Sequence, residues 1–208
     1  MSEVITYSGR YTTLSRDQLL EKLEQQLKPS RFEHVKRVEQ TAITLARQYG
    51  VDVEKASIAG LVHDYAKQRP DDDFKAAIQK YQLDADLLNW NNAIWHGVVG
   101  AELIKAELKI YDEEILDAVR YHTTGNRYMT TLAQIIYMAD YIEPARDFDG
   151  VAQARLLTKQ DLSLAVAYQT QHTLAYLLAN NQRIYPKTIE TYNAWVPDSQ
   201  LNKNGVIK

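Results

Sequence analysis

Apolar residues along the chain recur at intervals of three and four positions, which is the spacing of one face of an α-helix. The clearest run lies between Pro29 and Gly50, and its apolar positions are Val35, Val38, Ala42, Leu45 and Tyr49. Before it, leucines at 19, 20, 23 and 27 predict a helix that Pro29 ends, and Ser30 is expected to cap the next helix. Gly50 is expected to end that second helix.

Helical spacing continues through the rest of the chain. Asp52 predicts the cap of a third helix that runs through Val62 towards Pro70, and Asp71 begins a short fourth helix. Further helical stretches cover roughly 94–108, 112–122, 130–143, 161–180 and 187–195. No repeat or long linker divides the chain. The pattern predicts an all-α fold, a compact helical bundle over residues 16–196, with a mobile N-terminal extension at 1–15 and a short polar tail at 197–208.

The composition is that of a helical globular domain, and it argues against nucleic-acid polymers as partners and against sites built on cysteine. The chain has 208 residues, 45% of them hydrophobic, with only 8 Gly and 5 Pro to form turns. A net charge of −3 and a pI near 6.0 lack the basic excess that binding to a nucleic-acid polymer requires. The absence of cysteine excludes disulfides, cysteine-ligated metals and thiol nucleophiles.

Two segments bear on secretion and membranes. Met1–Leu14 has no apolar core of the kind that a secretory signal needs, which predicts a cytoplasmic protein. The uncharged run Leu162–Gln182 has about the length of a membrane span, but glutamine, histidine and asparagine side chains interrupt it. We therefore expect a buried or groove-lining helix there and no membrane partner.

Histidines and aspartates form an ordered series along the central helices. The series is His34, then His63 with Asp64, then His96, His122 and Asp140, separated by 29, 33, 26 and 18 residues. This spacing allows separate helices to supply the ligands, as in metal sites built in the core of helical bundles. Imidazoles and carboxylates suit iron, manganese or zinc, and two ions about 3.5–4 Å apart assist phosphoryl transfer. Lys67, one turn beyond Asp64, is placed to neutralise a phosphate oxygen.

Each of these residues also has an ordinary structural explanation. A single histidine on a helix is more often a core or surface group than a ligand, and only the ordered set favours a metal site. His172 falls outside that set, in the late uncharged helix, and is predicted to be structural. Asp71, Asp72 and Asp73 are expected to complement a helix N-terminus rather than to bind a metal.

Longer strings surround the members of this series. They are Arg31-Phe-Glu-His34, Ala59-Gly-Leu-Val-His-Asp-Tyr-Ala-Lys67, Trp95-His-Gly97, Tyr121-His-Thr-Thr-Gly125 and Met138-Ala-Asp-Tyr-Ile-Glu-Pro-Ala-Arg146. With the ordered set, they resemble the HD-domain superfamily of metal-dependent phosphohydrolases. More narrowly, over roughly residues 17–195, the chain resembles the YqeK family of bacterial bis(5′-nucleosyl)-tetraphosphatases, the symmetrical kind.

The resemblance implies an enzyme that splits diadenosine tetraphosphate into two ADP by attack of a metal-bound hydroxide. It implies one or two divalent transition-metal ions, iron first, with manganese, cobalt and zinc as alternatives. The ligands implied for the main ion are His34, His63, Asp64 and Asp140. His96 and His122 would hold a second ion or face the substrate phosphates, and a homodimer is a possible assembly. The catalytic residues implied are Asp64, Lys67, His96 and His122.

The resemblance also assigns contacts to the substrate. Asp64, His96 and His122 would meet its phosphates, together with Arg31, Lys67, Thr123 and Arg146. The segment Arg183–Thr188 would line the ADP site through Arg183, Tyr185, Pro186 and Thr188. From the residues alone, Pro186 is expected to end a helix and leave irregular backbone free to meet a nucleotide, and a plain turn is the alternative. Trp95 and Tyr185 would stack on adenine or belong to the core.

Two other functions stay open. The same chemistry serves other HD-domain nucleotide phosphohydrolases, acting on deoxynucleotides or cyclic dinucleotides, although the string at 138–146 argues against them. A non-catalytic nucleotide-sensing module is the other alternative, and the presence of all six candidate ligands argues against it.

Overall fold

The computed structural model describes residues 5–201, and the predicted all-α bundle is confirmed there. Eleven α-helices and one short 3₁₀ turn, Ala85–Asn89, are found within these residues. The helices are α1 Arg16–Gln26, α2 Pro29–Tyr49, α3 Val53–Val62, α4 Asp71–Lys80, α5 Asn92–Val98, α6 Gly100–Leu108, α7 Glu113–Tyr121, α8 Thr131–Ile142, α9 Val151–Gln160, α10 Leu162–Ala179 and α11 Pro186–Trp195. None of them has both the length and the apolar character needed to cross a bilayer.

Short polar residues begin several helices where the sequence predicts them. The Asp52 side chain accepts hydrogen bonds from the backbone N–H groups of Glu54 and Lys55 and caps α3. The start of α2 differs from the prediction, because Pro29 is its first residue and Ser30 is not its cap. Proline suits that position because its missing N–H would have no partner inside the helix.

Two further boundaries differ from the prediction. The stretch 94–108 forms two helices, α5 and α6, which meet at Val99. Helix α9 was not predicted at all, because no side chain caps it and it begins after Gly150, whose φ of 93° lies in the left-handed region. Pro186 begins α11 instead of ending a helix, again as the first helical residue.

Helix α2 lies against both α3 and α8, and α8 also contacts α7, α9 and α10. Gly60 allows α3 to approach α2 closely, because a Cβ atom there would lie 2.9 Å from the Cα atom of Glu39. This contact brings two candidate ligands together, with the ring centroids of His34 and His63 at 5.4 Å. A smaller core cluster includes Trp95, whose indole N–H donates to the carbonyl of Leu87 at 2.7 Å. Trp95 is therefore a core residue.

The N-terminal segment packs on the bundle within the described residues, whereas the sequence predicts a mobile extension. The hydroxyls of Tyr7 and Ser57 lie 2.9 Å apart, and the Tyr11 hydroxyl donates to Asp52 at 2.7 Å. Tyr11 is buried, and its ring packs in the main hydrophobic core. In the predicted tail, Leu201 is also buried in that core. The rest of both predicted segments, 1–4 and 202–208, lies outside the described residues.

Candidate metal centre and substrate cleft

The six predicted ligands come together in the bundle core, delivered by five parts of the chain. Helix α2 supplies one residue, the turn after α3 supplies two, and α5, the end of α7 and α8 supply one each. Together they form the histidine–aspartate cluster, whose members are His34, His63, Asp64, His96, His122 and Asp140. All but Asp140 are buried. The cluster contains three overlapping groups of three residues, and in each group the ligand atoms lie within 4.8 Å of one another.

Backbone carbonyls fix the tautomer of three of the four imidazoles. A carbonyl oxygen only accepts, so the Nδ1 atom facing it carries the proton and Nε2 keeps its lone pair in the neutral ring. The three pairs are His63 with Gly60 at 2.8 Å, His96 with Asn92 at 2.6 Å, and His122 with Val119 at 2.7 Å. All three rings therefore present Nε2 to the centre of the cluster, which is the form that binds a metal.

The Nδ1 atom of the fourth imidazole, His34, faces a carboxylate instead of a backbone carbonyl. The Nδ1 atom of His34 lies 3.2 Å from Glu143, and Arg37 donates to the other oxygen of Glu143 at 2.7 Å. Burial would raise the pKa of Glu143, but the bonds from Arg37 and neighbouring donors hold it below the ordinary value. Glu143 stays ionised and orients His34. The sequence analysis gives it no role, although it lies three residues beyond Asp140, directly after the end of α8.

Replacing Glu143 with alanine is expected to weaken metal binding by about 10–100-fold, because His34 loses the acceptor that fixes its tautomer. Competition with a coloured chelator measures the affinity. Glu143→Gln keeps an acceptor oxygen and is expected to fall between the wild type and Glu143→Ala. The exposed Glu33→Ala serves as the control on α2. Equal affinities for Glu143→Ala and the control would contradict the positioning role.

The chemistry of the cluster fits a divalent cation. The Nε2 atoms of His34 and His63 are buried and have no hydrogen-bond partner, although Asp140 Oδ1 lies 3.0 Å from His34 Nε2. The Nε2 atoms of His96 and His122 lie 3.0 Å apart, so two lone pairs face each other. Bringing lone pairs and carboxylates this close in a buried place is unfavourable unless a cation lies among them.

The two oxygens of Asp64 face different pairs of imidazoles. Its Oδ2 atom lies 3.5 Å from His63 Nε2 and 3.7 Å from His34 Nε2. Its Oδ1 atom lies 3.5 Å from His96 Nε2 and 3.7 Å from His122 Nε2. The cluster thus has two halves that share one carboxylate.

The charged and titratable groups of the cluster shift the pKa values of one another. Burial would raise the pKa values of Asp64 and Asp140, but the surrounding histidines hold both well below the usual range. Burial, His122 and Lys67 lower the pKa of His96 to about 3, so this imidazole is neutral at neutral pH. Burial would lower the pKa of His63, but the neighbouring Asp64 and Asp140 carboxylates raise it above the ordinary value. The cluster therefore combines ionised carboxylates with a neutral His96, while its carboxylates favour a positive charge at His63.

Cationic side chains and one hydroxyl surround the cluster on its open side. Arg31 donates to Asp64 at 2.8 Å, and Arg146 donates to Asp140 at 2.6 Å. The Lys67 ammonium lies 3.1 Å from His96 Nε2. The Thr123 hydroxyl lies 3.0 Å from the Nε2 atoms of both His96 and His122. These are the four residues outside the cluster that the resemblance assigns to phosphate contacts, and each reaches the cluster.

A cavity of about 450 Å³, called the first cavity, adjoins the cluster at Thr123. Arg183, Tyr185 and Thr188 line it, whereas Pro186 is not among its lining residues. Its walls also include Asn89, Trp90, Asn91, Ala93, Ile94, Thr124, Thr173, Leu177 and Gln182.

Trp90 is an aromatic wall of the first cavity that sequence reasoning missed. The Arg183 guanidinium lies 4.6 Å from the centroid of the Trp90 ring, and the Tyr185 ring meets it edge to face at 4.9 Å. The aromatic wall and a cation beside the cluster suit a base and its phosphates.

The comparisons with known proteins agree with this geometry. The HD domain model matches residues 31–145, which contain all six members of the cluster. The fold and the site thus define an HD-domain protein with a divalent metal centre. The chain also superimposes on a structure from Clostridium acetobutylicum, described as a predicted HD superfamily hydrolase involved in NAD metabolism. The TM-score is 0.83 at 36% identity, over 88% of this chain and 97% of the other.

Two relatives of known name show to which family of HD-domain proteins the chain belongs. The chain is 44% identical to the symmetrical bis(5′-nucleosyl)-tetraphosphatase of Bacillus subtilis (strain 168), over 89% of this chain and 100% of the relative. It is 39% identical to the protein of that name from Halalkalibacterium halodurans, over 86% of this chain and 96% of the relative. The chain belongs to the family of symmetrical bis(5′-nucleosyl)-tetraphosphatases, which confirms the resemblance read from its sequence.

Proposed function

We propose that this protein hydrolyses diadenosine tetraphosphate between its two inner phosphates and releases two ADP. The observation that carries the proposal is the convergence of four Nε2 atoms and two carboxylates beside a cavity that suits a nucleotide. The names of the relatives support the same substrate class. The complete cluster favours an enzyme over a nucleotide-sensing module.

The proposed ligands of the main ion are His34, His63, Asp64 and Asp140. A second ion, where bound, would be held by His96 and His122, and Asp64 would serve both halves of the cluster because its two oxygens face them. Iron is the proposed metal, since a set of imidazoles and carboxylates without sulfur suits it, as it suits manganese, cobalt and zinc. When bound, such ions supply Lewis-acid polarisation and an acidified water as nucleophile.

Residues around the cluster are proposed to hold the polyphosphate and to stabilise its developing charge. Arg31 and Arg146 now pair with the cluster carboxylates and are partly open to solvent, so each can turn to a phosphate oxygen. Lys67 lies on the side of His96 and offers a third positive charge. Thr123 donates a hydroxyl at the mouth of the first cavity. Fixed donors of this kind stabilise the charge that develops on the departing ADP.

The first cavity is proposed to hold one ADP half of the substrate. Trp90 and Tyr185 offer aromatic faces to the base, and Arg183 provides a cation beside them. The Thr188 hydroxyl completes the polar lining. This placement positions the inner phosphates over the cluster.

Products identify the reaction. The purified protein, loaded anaerobically with Fe²⁺, is expected to convert diadenosine tetraphosphate to ADP alone, as resolved by anion-exchange chromatography. ATP with AMP would overturn the symmetrical placement of the substrate. Deoxynucleoside triphosphates and cyclic dinucleotides serve as comparison substrates, and preference for either would favour another HD-domain phosphohydrolase. No turnover with iron, manganese, cobalt or zinc would overturn the catalytic proposal.

A further inference from the structure

A second cavity of about 380 Å³ lies along the same helix, α10, that borders the first. Thr173 lines both cavities, so the two are neighbours. The volume is within the usual range for small-molecule sites. The lining of the second cavity is Tyr141, Phe148, Asp149, His172, Thr173 and Tyr176.

Two residues that line the second cavity, Tyr141 and Phe148, come from the segment that also carries Asp140 and Arg146. Tyr141 directly follows Asp140, and Phe148 lies two residues beyond Arg146, whose guanidinium binds Asp140. The first cavity reaches the cluster at its other half, where Thr123 contacts the Nε2 atoms of His96 and His122. Each cavity is thus lined by a residue next in sequence to a cluster member, Thr123 in the first and Tyr141 in the second.

The side chains of the second cavity suit a nucleoside. The rings of Tyr141 and Phe148 meet edge to face, with centroids 4.8 Å apart. Phe148 is 37% exposed and Tyr176 is 65% exposed, so two large aromatic faces are left uncovered at the cavity. Uncovered aromatic groups around a cavity are typical of binding sites, and every base has a face that stacks on them.

Polar groups at the second cavity complement a base and a ribose. Asp149 and Thr173 offer a carboxylate and a hydroxyl, which can bond ribose hydroxyls or an exocyclic amine. His172 stacks on Tyr168 with ring centroids 4.1 Å apart, which fixes its orientation. Burial lowers the pKa of His172, so its ring is neutral and can bond a neutral base.

We propose that the second cavity binds the second nucleoside of the dinucleotide substrate. This inference rests on the proposed function and extends it. The bond between the inner phosphates is equally far from both nucleosides, so a substrate with one half in the first cavity extends beyond the cluster by an equal length. In this proposal the second half of the substrate passes the Asp140–Arg146 pair and enters the second cavity, whose lining residues Tyr141 and Phe148 are close to that pair in sequence. His172 and the exposed aromatic rings then serve recognition.

The test compares two substrates that differ by one nucleoside. Tyr176→Ala and Phe148→Ala are expected to lower kcat/KM for diadenosine tetraphosphate by about tenfold, through the loss of base stacking. Adenosine 5′-tetraphosphate has the same phosphates and one nucleoside, and its kcat/KM is expected to stay as in the wild type. Leu178→Ala is the matched control, because Leu178 is 61% exposed on α10 and lines neither cavity.

A binding measurement tests the second cavity independently of hydrolysis, so failure of this inference can be told from failure of the proposed function. Calorimetric titration of the metal-loaded protein uses adenosine 5′-tetraphosphate and a diadenosine tetraphosphate analogue with a methylene group between the inner phosphates. Weaker binding of the analogue alone to the two cavity variants supports the second site, even if the wild type hydrolyses neither substrate. Equal losses for both ligands, or no loss for either, would overturn it.

Discussion

Replacing Asp64 with asparagine is expected to lower kcat for diadenosine tetraphosphate by about 10³-fold or more, with the protein still folded. Among the cluster members that the structure describes, only Asp64 turns its two oxygens towards both halves, and it also pairs with Arg31. The amide keeps the shape of the side chain but replaces one oxygen with a donor and removes the charge. Steady-state kinetics measure kcat, mass spectrometry measures the bound metal, and circular dichroism shows whether the protein is folded.

The control for this prediction is Asp72→Asn on α4. The Asp72 side chain is 91% exposed and pairs only with Lys75 among the described contacts, so turnover and metal content are expected to stay unchanged. Full activity of a folded Asp64→Asn protein with little bound metal would refute the metal-centred mechanism.

Removing the metal with a chelator is expected to abolish turnover and to lower Tm by about 5–10 °C. An ion present at 100 times its Kd stabilises the folded protein by about 2.7 kcal/mol, and about 2–4 °C corresponds to each kcal/mol in a chain of this length. The physical reason is the close approach of four Nε2 lone pairs and two carboxylates in the core. Differential scanning calorimetry before and after chelation measures the shift.

Adding back Fe²⁺, Mn²⁺, Co²⁺ or Zn²⁺ separately then ranks the metals by recovered activity, and iron is expected to restore it best. Asp64→Asn provides the control, because a protein without its bridging carboxylate should respond little to the chelator. Undiminished hydrolysis by the chelated wild type would refute a role for the metal.

Most of the fold could be predicted because helix signals are local. The Asp52 cap and the apolar spacing of α2 depend on residues within a few positions of each other. Helix α9 could not be predicted, since it lacks a side-chain cap and follows a glycine that needs the left-handed region. The contacts of Tyr7 and Tyr11 were also missed, because their partners lie 50 and 41 residues away.

The six members of the cluster were predicted because their residue types and order are visible in the chain. Glu143 was missed because its role depends on a partner 109 residues away on α2. Trp90 was missed for a similar reason, since only the fold brings it beside Arg183. Arg183 also donates to the carbonyl of Asn89, the residue before Trp90 and 94 residues away from Arg183 in sequence. Neither side chain stands out by composition or spacing.

The hydrogen bonds at the four Nδ1 atoms also imply an order of assembly. His63, His96 and His122 bond carbonyls only three or four residues earlier, so these rings are oriented as soon as their own helix ends form. His34 is oriented only when α8 docks on α2, across 109 residues of chain. Long-range contacts of this kind form late because closing the intervening loop costs entropy. The complete ligand set thus arises only after α8 has docked on α2, so we expect an ion to bind after that contact has formed and not before it.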